Sequence, residues 1–264
     1  DLPAADGFVH LAAHLGEGRI LMSMIDPSVT DESDPLSCDL RLDPFHPDNG
    51  YQRPPASSHY SPAFVETYRQ AQRARVERID AIARAALGRR GEARTAIGES
   101  EFHHRPWTEQ APQLRAAVVC PYIVVYRTEA DVRAFDLELD PSQRDAGSLF
   151  SYRPDLTNYM EFGFGRVCTP RSWLSTWSGL SSNADFLKNA PMIAVPSLVV
   201  FYDGDNAIFP SDSRAAFDAL GAEDKELFSV PGDHYGFAVG TQERTGARAA
   251  LDIVNRWLHD HFPV

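Results

Sequence analysis

Cysteine is scarce in this chain. Cys38, Cys120 and Cys168 are the only three among 264 residues, and none stands in a C-x-x-C pair. So small and scattered a set supports neither a disulfide framework nor a zinc site. Long apolar runs are missing too: none approaches the roughly 20 residues that a membrane span needs. The opening residues do not read as a basic, apolar and small-residue leader, which leaves the compartment open, with the cytoplasm as the default expectation. Positive charge is in deficit, 25 Lys and Arg against 37 Asp and Glu, a net charge of −12. An acidic surface repels phosphate backbones and anionic lipid, so neither nucleic acid nor a membrane surface is expected as a partner. No H-E-x-x-H signature occurs, His103 and His104 are adjacent rather than helically spaced, and His46, His59 and Asp43 lie in irregular text. No metal site is expected from these spacings. Gly163-Phe-Gly165 lacks the third glycine and the following helix of a phosphate loop, and no cofactor is expected.

What is present is ample core material: 43% apolar residues, including fifteen Phe and four Trp. A chain of this length and composition buries a substantial core. Residues 7–14 read as a short buried strand, and Gly16-Glu-Gly18 as a turn before a second apolar segment, Ile20 to Ile25. From Asp26 to about Tyr60, prolines at 27, 35, 44, 47, 54 and 55 forbid regular helix and predict a covering loop. Ser61-Pro62 opens a helix with a cap and a first-turn proline, and Phe64, Tyr68, Val76, Ile79 and Ala83 recur at near-helical spacing until Gly88 supplies a stop. Arg73, Arg75 and Arg78 sit among acidic neighbours, as on a solvated face. Residues 88–115 read as loose. Ala117–Tyr126 and Val132–Leu139 read as two strands of a hairpin, turning through Arg-Thr-Glu-Ala-Asp. In the last third the apolar run 196–202 has the length of a buried parallel strand. A short helix capped by Ser211 or Asp212, a strand over Lys225–Val230 and a helix over Thr245–His261 follow. Alternating strand and helix predict an α/β fold with a parallel sheet.

In such a sheet, ligands sit at the carboxyl ends of the strands. Asp205 follows one predicted strand directly, and His234 follows the next by four residues. If the strands are neighbours, the carboxylate holds the imidazole in one tautomer and stabilises it when protonated, which makes a general base near neutral pH. Asp203, two residues earlier, is the rival acid. The stretches Leu198-Val-Val-Phe-Tyr-Asp-Gly-Asp205 and Val230-Pro-Gly-Asp-His234 resemble the end of the α/β-hydrolases, whose chain order is nucleophile, acid, base. The resemblance covers residues 190–264 and touches residues 7–14, which look like the family's sixth strand. It implies a partial α/β-hydrolase sheet, the last three parallel strands, with a large, mostly helical or irregular lid inserted after the first of them. Core segments would then be 1–25 and 176–264, and the lid 26–175. It further implies a carboxylesterase acting on small-molecule or polymeric esters, with apolar, aromatic or polyester-like groups suiting an aromatic lid.

The family's G-x-S-x-G nucleophile turn is not found. Its strand is expected before residue 1, in a complementing N-terminal segment. Within the chain Ser178, followed by Gly179 but flanked by Thr176 and Leu180, is the alternative nucleophile. Cys120 reads as a buried small hydrophobe. Trp173, Trp177 and Tyr235 are the candidates to line an apolar substrate pocket. The competing expectation is a catalytically incomplete remnant that binds partners, self-associating through an unpaired sheet edge.

Overall fold

The computed structural model describes residues 4–263. In chain order the strands are β1 (Phe8–Leu11), β2 (Ile123–Val124), β3 (Val167–Cys168), β4 (Ser197–Tyr202) and β5 (Lys225–Val230). The helices are α1 (Glu17–Met24), α2 (Pro62–Ile97), α3 (Trp107–Val118), the short turns α4 (Pro154–Thr157), α5 (Pro170–Ser172) and α6 (Phe186–Asn189), then α7 (Pro210–Ala219) and α8 (Thr245–His261).

Three strands form a parallel sheet in the order β1-β4-β5, with Phe8 opposite Ser197 and Ser197 opposite Lys225. The fold is therefore α/β. Every residue of β4 is buried, as its unbroken apolar text requires of a middle strand covered on both faces. Side chains alternate across the pleat. Leu198, Val200 and Tyr202 face Ala250 and Trp257 of α8, while Val199 packs with Ala190 and Leu220 on the opposite face.

His10 of β1 points into that second layer, 4% exposed, with its ring 5.0 Å from that of Phe186. Its Nε2 has no partner. Burial pushes its pKa from 6.5 down to about 4. Between those values the unfolded chain binds a proton that the folded chain refuses, so stability falls as pH drops through the window, by about 3 kcal/mol in all. Thermal melts from pH 7 to pH 4 should show this loss, and His10→Phe should remove it. Equal pH dependence in both proteins would refute the assignment.

Several local expectations are corrected. Gly16–Gly18 is no free turn: Gly16 precedes α1, which begins at Glu17. α2 starts as predicted, with Ser61 Oγ accepting from Phe64 N at 3.2 Å, but it does not stop at Gly88. Both Gly88 and Gly91 face open space. Their cost of about 1 kcal/mol each is local. The helix is continued by what packs on it: residues 107–118, expected to be largely loose, form α3, and Arg90 and Arg94 both donate to Ala117 O. No hairpin joins 117–126 to 132–139. Ile123–Val124 pairs antiparallel with Val167–Cys168 instead, and Val132–Ala134 is a 3-10 turn. Cys120, expected inside, is exposed. In α7 the cap position is Phe209, with Asp212 reaching back to its N–H at 3.4 Å.

Arg75 is the sharpest departure, since it is wholly buried rather than on a solvated face. Its guanidinium holds Glu32 through Nε (3.0 Å) and Nη2 (2.8 Å), and donates to Asp26 O (2.6 Å) and Tyr126 O (2.8 Å). One side chain of α2 thereby gathers the proline-rich loop and the segment after β2.

Candidate functional site

The ends of β4 and β5 are drawn together by main chain. Asp203 N donates to Val230 O at 3.0 Å, and Gly204 N to Gly232 O at 2.9 Å. A Cβ on Gly204 would lie 2.7 Å from Gly232 O and 2.4 Å from Val239 Cγ2, so only glycine permits this approach. Asp205 emerges from it almost fully buried, at 1% exposed. Its Oδ1 accepts from Ala207 N (2.7 Å) and Ile208 N (3.0 Å), the turn that side-chain carboxylates make with the backbone just ahead of them. Its Oδ2 lies 2.9 Å from Nδ1 of His234.

His234 is placed by its own tight turn. The Asp233 carboxylate accepts from Tyr235 N and Phe237 N at 2.9 Å each, and Gly236, at φ 73°, lets the chain double back. The ring is one-quarter exposed. Among the described residues the Asp205 contact is its only hydrogen bond, so in the neutral ring Nδ1–H donates to Asp205 and Nε2 presents a lone pair outward. The hydrogen bond to Asp205 raises the His234 pKa above 6.5, opposed by partial burial and aided by the charges of Asp205 and Asp233. An NMR titration of His234 should therefore give a midpoint above 6.5 that falls in Asp205→Asn. An unchanged midpoint would mean that the carboxylate does not govern the ring.

Asp203, the rival acid, is half-buried, and its carbonyl accepts from Gln143 N at 2.7 Å; it is Asp205 that meets the histidine. Ser178 is fully buried at the end of a π-helical turn, Trp173–Trp177. Its Oγ accepts from Leu180 N (3.2 Å) and Ser181 N (3.1 Å), with no hydrogen bond to His234. The expected aromatic wall is corrected in part. Trp173 is wholly buried against α2, its Nε1 donating to Asp80 at 2.8 Å, and half-buried Trp177 packs against the same core beside Phe164. Tyr235 is exposed, edge-on to the His234 ring at 5.2 Å.

The wall that does stand near the pair comes from residues 145–152, where Phe150 and Tyr152 open the aromatic stretch of the expected lid. With Gly204, Asn206, Asp233, Tyr235 and the turn 239–242 they enclose a cavity of about 400 Å³, lined by the chain neighbours of Asp205 and His234 rather than by the pair itself. The sequence offered little signal for it beyond a density of aromatics and serines.

The chain matches no protein-family model, no curated protein and no solved structure. Its chemistry is carried by geometry alone.

As to metals, His10 and His14 stand four apart, but they lie in and after a strand: His10 is buried, and His14 Nδ1 accepts from Gly16 N at 3.0 Å. His59, Asp136 and Glu138 bring potential ligand atoms within 4.8 Å of one another. Both Asp136 oxygens are already engaged, by Tyr60 N and Glu138 N at 2.9 and 3.0 Å, which makes the group a loop clasp. No helix among the described residues is long and apolar enough to cross a membrane.

Proposed function

We propose that this chain carries the acid–base half of a carboxylic-ester hydrolase of the α/β-hydrolase type. The observation that carries the reading is the 2.9 Å contact between Nδ1 of His234 and a buried Asp205 whose other oxygen is fixed by two backbone N–H groups. In this role Nε2 of His234 removes the proton of an attacking hydroxyl, the oxygen adds to the ester carbonyl, and Nε2–H returns the proton to the departing alkoxide. Water then repeats the sequence on the acyl intermediate. The chain order, acid before histidine on successive strands, agrees with that family. Residues 26–175 serve as its lid, and the rings of Phe150, Tyr152 and Tyr235, set in an otherwise mostly polar cavity wall, offer the surface for apolar, aromatic or polyester-like acyl groups.

The nucleophile is the open term. No described hydroxyl bonds His234, so the hydroxyl is delivered by another segment or a second polypeptide, joining the sheet at the outer edge of β1, where no described strand pairs. The same lack of a hydroxyl partner favours a second reading, a non-catalytic remnant that binds ligands or partners. A serine-directed alkyl phosphonate with intact-mass readout separates the two. Stoichiometric labelling that His234→Ala slows supports the hydrolase, and the labelled peptide names the nucleophile. Absence of labelling together with absence of esterase turnover supports the remnant.

A further inference from the structure

Residues 127–131, expected to be a hairpin turn, are among the most buried polar text of the described residues. Asp131 is compensated there, with Arg69 and Arg133 each at 2.8 Å. Glu129 is not. It is 2% exposed and its Oε1 has no hydrogen-bond partner. Arg166 acts on it through space, yet burial prevails and pushes its carboxyl up to about 8. Buried charge without a partner is disfavoured, so the group stays protonated at neutral pH.

Glu129 is one of the residues lining a small cavity of about 20 Å³, space for one water-sized group. Phe135, Phe150, Phe164 and Phe209 wall it, and Asn206 and Ala207, directly after Asp205, close it. Residues 148–150 and Asn206 are shared with the cavity of about 400 Å³ beside His234, so the two adjoin. The larger cavity is lined by Asp145 and Asp233 and by no Lys or Arg.

We propose that the Glu129 pocket receives the primary ammonium tip of a slender apolar ligand whose body lies in the larger cavity beside His234. An ammonium group is water-sized and supplies the donors that the carboxyl lacks. Phenyl faces attract a desolvated cation; Phe209 already has the guanidinium groups of Arg133 and Arg144 over its ring, which leaves Phe135, Phe150 and Phe164 for the ligand. The acidic lining along the approach disfavours carboxylates and phosphates. On binding, Glu129 gives its proton to solvent and the carboxylate pairs with the ammonium, so charge balances inside the pocket. A neutral alcohol of the same length gains none of this.

The test is calorimetric titration of hexylammonium chloride and of 1-hexanol into the full chain at pH 7, in two buffers of different ionisation enthalpy. Hexylammonium should bind with release of about one proton per site, and hexanol about tenfold or more weakly. Glu129→Gln should remove the proton release and weaken hexylammonium about tenfold, leaving hexanol unchanged. The proton count is read on the unaltered protein, so it stands even if the variant folds poorly. Equal affinity for the two probes, no proton release, or no hexylammonium binding would each overturn the proposal and leave a cavity filled by one water. The readout is binding rather than turnover, so failure of the ester reading leaves this test intact.

Discussion

Under the proposed hydrolase reading, and with the nucleophile-bearing segment present, replacing His234 by alanine is expected to lower kcat/KM for p-nitrophenyl butyrate by about 10⁴-fold, because the attacking hydroxyl then has no group to take its proton. Asp205→Asn is expected to cost about 10³-fold for a different reason. The amide oxygen can still accept from Ala207 N and Ile208 N, but its NH₂ group faces Nδ1 of His234. Nδ1 must then accept, the ring proton moves to Nε2, and the lone pair needed for catalysis is lost. The pH profile carries the sign. A general base works only when neutral, and Asp205 raises the pKa of His234, so under that reading hydrolysis by the unaltered protein is expected to rise as pH climbs through a midpoint above 6.5. In Asp205→Asn the residual activity rises at lower pH, toward a lower plateau. Hydrolysis surviving His234→Ala within tenfold would remove the pair from the mechanism.

The largest effect on stability is expected at Arg75. Arg75→Met keeps most of the volume and removes the guanidinium that satisfies Glu32 and the carbonyls of Asp26 and Tyr126. Glu32 retains Arg78, at 2.6 Å, so the charge is not wholly abandoned, but buried acceptors lose their donor. Breaking one side of a buried ion pair costs about 3–5 kcal/mol. For a domain of this size that lowers Tm by roughly 10 °C. Arg75→Lys should not rescue it, since a single ammonium cannot reach five acceptors arranged around a planar fork. A Tm within about 2 °C of the parent protein would show that the loop 26–32 and the segment after β2 are held by other contacts.

The elements that were legible are those whose signal is local. β4 is a nearly continuous apolar run and β5 a short strand stopped by Pro231-Gly232; α8 repeats its apolar face over four turns; the start of α2 is written in Ser61 and Pro62. The approach of Asp205 and His234 followed from strand ends alone, because parallel neighbours bring their carboxyl ends to one rim. What was not legible depends on partners distant in sequence. Gly88 is a helix stop in isolation, and only the packing of α3 overrides it. Arg75 reads as surface until Glu32 and the carbonyls of Asp26 and Tyr126 close around it. Segment 127–131 has the letters of a turn, yet Arg127 sits beside Asp26, Glu129 N is held by Asn158, and Asp131 lies between two arginines. A two-residue ladder such as Ile123–Val124 with Val167–Cys168 has no periodicity to detect.

Because two touching glycine backbones set the spacing of acid and imidazole, directed evolution at this rim faces an uneven landscape. Substitutions at Asn206, Tyr235 or along 148–152 reshape what enters without disturbing the couple, whereas any side chain at Gly204 pries the two crossings apart and silences it. Library designers should hold that one position constant and spend their diversity around it.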